Sequence, residues 1–234
     1  MSDHTADEMM AVEAARRIED GTVCFVGIGL PSLAANLARR THAPHSVLVY
    51  ESGTIGAKPE SLPLSIGDGE LAETADAVVS VPEMFAYWLQ GGRIDVGFLG
   101  AAQIDRRGNL NSTVIGAYDA PKVRLPGGGG APEIALGVRD VFVMLRHTSR
   151  AFVEQLDFTT SLGDDVRVVV TDLGILEPVD GELTLVAVHP GVDVEAARAA
   201  TGWELKVAVE LRQTEPPTDA ELSALRSLRA RTAA

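Results

Sequence analysis

Residues 23–32 read Val23-Cys24-Phe25-Val26-Gly27-Ile28-Gly29-Leu30-Pro31-Ser32, and residues 47–53 read Val47-Leu48-Val49-Tyr50-Glu51-Ser52-Gly53. Each is a short apolar run that breaks into small, turn-forming residues, the pattern of a buried strand ending in a loop. Between them, residues 32–40 carry helical spacing with Ser32 as the cap, and His42-Ala43-Pro44 breaks the chain before the second strand. A strand, a helix and a second strand in that order point to an α/β fold.

The alternation extends in both directions. Upstream, Met9, Val12, Ala15 and Ile18 recur on one face of an expected amphipathic helix over 8–20, stopped at Gly21. Downstream, strands are expected at 77–79, 96–99, 141–145 and 166–170, and helices at 82–90, 194–201 and 219–229. The strands are near-continuous in Val, Ile and Leu, which predicts a sheet covered by helices on both faces. The expected architecture is an open, mostly parallel sheet in a single domain over 1–234, with a short C-terminal helical tail over 215–234.

Bulk properties narrow the function. The chain carries 46% hydrophobic and 23% charged residues, which fits an ordinary globular protein. Its net charge of -13 argues against nucleic acid or an anionic membrane surface as the main partner. The single cysteine, Cys24, lies in an apolar run and reads as an inert core residue; no disulfide framework can form. No run approaches the ~18 apolar residues that span a bilayer. Residues 1–5 lack the basic and apolar regions of a secretory signal, so the expected location is the cytoplasm.

Several motifs bear on chemistry. Gly27-Ile28-Gly29 follows a strand and precedes a helix, with Glu51 further on, but the third glycine of a dinucleotide-binding turn is replaced by Ser32. Pro31 also removes a backbone donor that a pyrophosphate would use, so a tight strand-to-helix turn is the better reading. Gly127, Gly128, Gly129 and Gly130 follow Pro126 without the Gly-Lys-Ser/Thr of a P-loop. They fit either a flexible loop or a nest of N–H groups for a developing oxyanion. Glu70, Glu73 and Asp76 match no metal-binding loop and read as a solvated face, and His147 reads as a satisfied histidine. There is no Gly-x-Ser-x-Gly elbow. Glu51 alone reads as a strand-end carboxylate that caps a turn or pairs with an arginine, because structural ion pairs outnumber catalytic carboxylates.

Taken together the motifs change that reading. Gly27-Ile28-Gly29-Leu30-Pro31, Glu51-Ser52-Gly53, Ser65-Ile66-Gly67-Asp68, Gly100-Ala101-Ala102-Gln103-Ile104-Asp105, Gly108-Asn109-Leu110-Asn111-Ser112-Thr113 and the four glycines occur in an order that resembles the beta (B) subunit of class I CoA-transferases, the glutaconate type most of all. The resemblance covers about residues 8–210. It implies exchange of CoA between an acyl-CoA and a dicarboxylic or 3-oxo acid, by a ping-pong route through a covalent glutamyl-CoA thioester. Coenzyme A is then a substrate, and no permanently bound cofactor or metal is implied. The motif glutamate maps to Glu51 as nucleophile. Gly27, Gly29, Ser52, Gly53, Asn111 and Gly127 to Gly130 map to oxyanion- or substrate-binding positions. The family pairs this subunit with a separate alpha subunit, so the chain is expected to be part of a hetero-oligomer. Some relatives act as CoA-ester hydrolases or decarboxylases, some of them with the motif glutamate replaced, and retention of Glu51 favours transfer.

Overall fold

In the computed structural model, which describes residues 4–232, Val23–Phe25 forms β1 and Val47–Val49 forms β2. They run parallel in the register Val23↔Val47, Cys24↔Leu48 and Phe25↔Val49. β3 (Thr54–Ile55) and β4 (Ala77–Val78) continue the sheet beyond β2 in antiparallel fashion, and β5 (Val96–Leu99) flanks β1 in parallel. Cys24 is 0% exposed, and burial pushes its thiol up to about 12, so it is the inert core residue expected.

The packing divides the chain into two compact units. One holds the residues up to Phe98 together with Gly137–Arg139 and those from Pro216 onward; the other holds Leu99–Leu136 and Asp140–Glu215. In the first, α1 (Ala6–Ala15) packs on α2 (Leu30–Arg40). The first helix departs from expectation. It stops at Ala15, and every residue from Glu8 to Ala15 is buried, so it is enclosed rather than amphipathic. Thr5 caps it and Glu8 returns a hydrogen bond to the Thr5 N–H.

Two further helices lie along this unit, α3 (Gly69–Glu73) and α4 (Val81–Glu83). The helix expected over 82–90 is α-helical only in α4 and then widens into a π-helix over Met84–Leu89. Ser80 caps it, Glu83 closes the capping box, and Phe85 meets Phe25 edge-on with ring centroids 6.2 Å apart.

The second unit begins with two small antiparallel pairs, β6 (Gln103–Ile104) with β7 (Leu110–Asn111) and β8 (Val114–Ala117) with β9 (Ala120–Arg124). After α5 (Ala131–Gly137) come β10 (Asp140–Met144) and β11 (Val166–Val170), which are parallel. β12 (Gly174–Val179) and β13 (Glu182–Val188) form an antiparallel hairpin, and β14 (Lys206–Gln213), reached through α6 (Val194–Ala199), runs parallel to β13. The turn of that hairpin is Asp180-Gly181, with φ 51° and 77°, the positive values a type I′ turn demands at both central residues.

The last helix, α7 (Asp219–Thr232), returns to the first unit. It is no tail: Leu222, Leu225 and Leu228 are buried, Arg16 grips Glu221 at 2.8 Å, and Arg226 reaches Glu8 at 2.9 Å. That last hydrogen bond holds the Glu8 carboxyl down to about 2. Among the described residues no helix is long and apolar enough to cross a membrane.

His147 lies in the interior of the second unit, stacked on Phe152 at 3.8 Å, with Nε2 2.8 Å from the Thr201 hydroxyl and Nδ1 3.4 Å from that of Thr171. It is the satisfied histidine expected. Burial brings its pKa down to about 4. The unfolded chain therefore takes up a proton near pH 6.5 that the folded chain refuses until about pH 4. This contribution is intact at neutral pH and shrinks as pH falls through that window, by about 3 kcal/mol in all. Urea unfolding of wild type and His147→Gln across the window checks it. The wild type should lose stability more steeply on acidification, and parallel curves would refute the assignment.

Candidate active site

β1 and β2 end at the same level, where the Val26 N–H donates to the Val49 carbonyl at 2.8 Å. Beyond that level β1 runs into Gly27-Ile28-Gly29 and β2 into Tyr50-Glu51-Ser52-Gly53. The two loops thus emerge side by side past the carboxyl ends of neighbouring parallel strands, where open α/β sheets bind ligands.

The second loop is a tight turn. The Gly53 N–H donates to the Tyr50 carbonyl at 2.9 Å, and the Tyr50 N–H to the Thr54 carbonyl at 3.0 Å, which puts Glu51 and Ser52 at the two central positions. Gly53 has φ 102°, and a Cβ there would lie 2.0 Å from the Val79 carbonyl oxygen, so β4 leaves room for glycine alone. Tyr50 anchors the turn from below. It is 0% exposed, and its hydroxyl lies 3.2 Å from Ser32 Oγ and accepts from Asn36 Nδ2 at 3.4 Å. Burial raises its pKa, which keeps the phenol neutral. Ser32 is therefore not the cap of α2; Gly29 holds the N-cap position, and the Ser32 hydroxyl faces Tyr50 instead.

Glu51 itself is half-buried and makes no hydrogen bond or ion pair with any described residue. The two structural readings, turn cap and arginine partner, are both absent. The neighbouring Ser52 Oγ is buried and likewise without a partner among the described residues. An ionised carboxylate held by a rigid turn and free of a counter-ion can attack an electrophile without first breaking a pair.

The remaining expected positions lie in the second unit. Gly127 and Gly129 take φ of 101° and 52°, and side chains there would meet open space. The Gly127 N–H is committed to the Ser112 carbonyl at 2.9 Å, which corrects its expected role as a donor. The N–H groups of Gly128, Gly129 and Gly130 have no acceptor among the described residues and remain available. Asn111 also needs correction. Its Nδ2 donates to Gln103 Oε1 and to the Val114 carbonyl, both at 2.7 Å, and its Oδ1 accepts from the N–H groups of Thr113 and Val114. With both donors and both lone pairs used, and 0% exposure, it has no capacity left for a substrate.

The trio Ser32, Asn36 and Tyr50 was not anticipated, although two polar residues four apart on an otherwise apolar helix signal a buried hydrogen-bonding pair. The acidic stretch is a local framework: Glu70 accepts from Ser61 Oγ at 2.5 Å, and Asp76 pairs with Lys58.

Known proteins share this arrangement. Residues 7–200 match the Coenzyme A transferase family. The chain is 57% identical to the beta (B) subunit of 3-oxoadipate CoA-transferase from Pseudomonas knackmussii, over 100% of this chain and 96% of the relative. Its fold superposes on glutaconate coenzyme A-transferase from Acidaminococcus fermentans with a TM-score of 0.92 at 31% identity, covering 99% of this chain and 97% of the other. The decarboxylase AibA/AibB gives 0.90 at 29% identity, covering 98% and 96%. The 3-oxoadipate relative stands well above the glutaconate enzyme in identity, so the glutaconate-type resemblance holds for the family and the fold more than for the substrate. An unpaired strand-end glutamate, an open α/β sheet and full-length identity to a beta subunit make this chain a member of the coenzyme A transferase family, a beta subunit that moves CoA between an acyl-CoA and a carboxylic acid.

Proposed function

We propose that Glu51 is the covalent nucleophile of this transfer. The observation that carries the reading is its carboxylate, fixed by the Tyr50–Gly53 turn and free of any partner among the described residues. One carboxylate oxygen attacks the thioester carbonyl carbon of the donor acyl-CoA. The tetrahedral intermediate collapses with departure of CoA thiolate, leaving an anhydride between Glu51 and the acyl group. The thiolate returns to the Glu51 carbonyl carbon, releases the donor acid as its carboxylate and leaves a glutamyl-CoA thioester. The acceptor carboxylate then repeats the two steps in reverse order, carrying CoA away and regenerating Glu51. The route is ping-pong, and one difficult exchange becomes easier steps.

Each tetrahedral intermediate carries an oxyanion. We assign its donors to the available N–H groups of Gly128 to Gly130, each worth about 2.7–4 kcal/mol by oxyanion-hole precedent. The CoA partner acids include a dicarboxylic 3-oxo acid of the 3-oxoadipate kind, a choice supported by identity to the enzyme named for it. A separate alpha subunit completes the enzyme, in keeping with that relative's being one named subunit of its enzyme. The cytoplasm is the fitting compartment for a chain whose one thiol is buried and unpaired.

The test is to incubate the two-subunit complex with acyl-CoA and no acceptor, reduce with borohydride and map the modified peptide. The expected result is one equivalent of donor acid released and a modification at Glu51. A modification elsewhere, or none, removes Glu51 from this role. Continuous release of acid would indicate a hydrolase instead.

A further inference from the structure

The nest at Gly128 to Gly130 is only as good as the segment that holds it, and that segment is held from one side. Gly127, its first residue, is clamped through both backbone groups by Ser112: its N–H donates to the Ser112 carbonyl and its carbonyl accepts from Ser112 Oγ, each at 2.9 Å. Ser112 is in turn fixed by Thr160, whose Oγ1 accepts the Ser112 N–H at 3.0 Å and lies 2.7 Å from Thr113 Oγ1. The Thr160 methyl, Cγ2, sits 3.4 Å from where a Cβ on Gly128 would be, so the same side chain also backs the second glycine. Thr160 has little freedom of its own, because its N–H donates to the Leu110 carbonyl of β7 at 2.8 Å, next to the Leu110–Ser161 bridge.

We infer that Thr160 is a positioning residue for the reaction, acting through Ser112 to fix where the free N–H groups of the glycine loop point. The inference rests on the reading of that loop as the oxyanion donor and adds the device that aims it. Oxyanion donors act only when fixed before the charge develops, and a displacement of about 1 Å at such a site costs on the order of 10²-fold in rate. The hydroxyl is the operative group: without it the Ser112 N–H loses its acceptor and the clamp on Gly127 loosens, while ground-state binding of the CoA ester is left largely alone.

The experiment compares Thr160→Val, Thr160→Ser and Ser112→Ala in the reconstituted two-subunit enzyme, with kcat and KM measured per mole of folded complex. Thr160→Val keeps the shape and removes the hydroxyl. It is expected to lower kcat about 10- to 100-fold with KM for acyl-CoA within about twofold, the split of an interaction used in the transition state. Thr160→Ser, which keeps the hydroxyl, is expected to recover most of the lost rate. Should Thr160→Val fail to fold, Ser112→Ala breaks the same relay one step later and is expected to lower kcat in the same way. A kcat for Thr160→Val, or for Ser112→Ala in its place, within about twofold of wild type overturns the relay, as does a Thr160→Ser variant as slow as Thr160→Val. Gly128→Val separates this from the underlying reading. If it leaves kcat intact, the loop is not the donor; if it abolishes transfer while Thr160→Val does not, the loop stands and the relay falls.

Discussion

Glu51→Ala lowers CoA transfer by about 10⁴- to 10⁶-fold and leaves the chain as stable as before, within about 0.5 kcal/mol. The two halves of this expectation come from the same observation. Because the carboxylate has no hydrogen bond and no ion pair among the described residues, its removal deprives the fold of nothing. The turn that carries it is closed by the backbones of Tyr50, Gly53 and Thr54 and survives intact. The chemistry loses its nucleophile, and what remains is binding and oxyanion stabilisation alone. Glu51→Asp keeps the charge but withdraws it by one methylene, roughly 1.5 Å, and is expected to retain about 1% of the rate. Steady-state exchange by the reconstituted complex and thermal unfolding of each variant check the pair. Exchange by Glu51→Ala within tenfold of wild type would refute the covalent reading, and a large loss of stability would show that the carboxylate holds a structural partner.

Gly53→Ala, two residues on, is expected to do the reverse and injure fold and function together. A Cβ at this position collides with the Val79 carbonyl oxygen at 2.0 Å and with its carbon at 3.0 Å. Both are backbone atoms, so no side-chain rotation relieves the contact. The φ of 102° is also one that an alanine resists. Backbone strain and displacement of β4 together should lower stability by roughly 3 kcal/mol. The Val79 N–H donates to the Gly53 carbonyl at 2.9 Å, so the strand and the turn must shift as one. Moving Glu51 by about 1 Å then costs on the order of 10² in rate. Chemical unfolding and kcat measured on the surviving folded fraction separate the two effects. An alanine variant of unchanged stability would mean that β4 yields easily and that Gly53 does not set the turn.

What the sequence told and withheld follows from where the deciding contacts lie. Val47 to Val49 and Val166 to Val170 were legible because a strand buried on both sides must be apolar throughout. The strands β12, β13 and β14 were not anticipated, although Asp180-Gly181 between two apolar runs is a strong hairpin signal; Glu177, Pro178 and Glu182 interrupt the apolar pattern around it. The enclosure of α1 depends on α2 and on α7, more than 200 residues away in the chain, and local periodicity cannot report it. The π-helical turn at Met84–Leu89 likewise leaves no mark in spacing. For the site, Glu51 and the glycines could be named from motif order. Their condition could not: that Glu51 is unpaired, that Gly127 has given away its N–H and that Asn111 is saturated are facts of three-dimensional hydrogen bonding.

Cys24 has one practical consequence for the bench. The reaction assigned to this family makes and breaks thioesters, and free coenzyme A is most simply followed by reagents that titrate thiols. A chain whose one sulfhydryl is fully enclosed within β1, with its ionisation pushed to about 12, presents no thiolate to such a reagent at neutral pH. While it stays folded, this subunit adds no background to a continuous colorimetric assay, and a cysteine engineered onto its surface would carry a spectroscopic label at that one place.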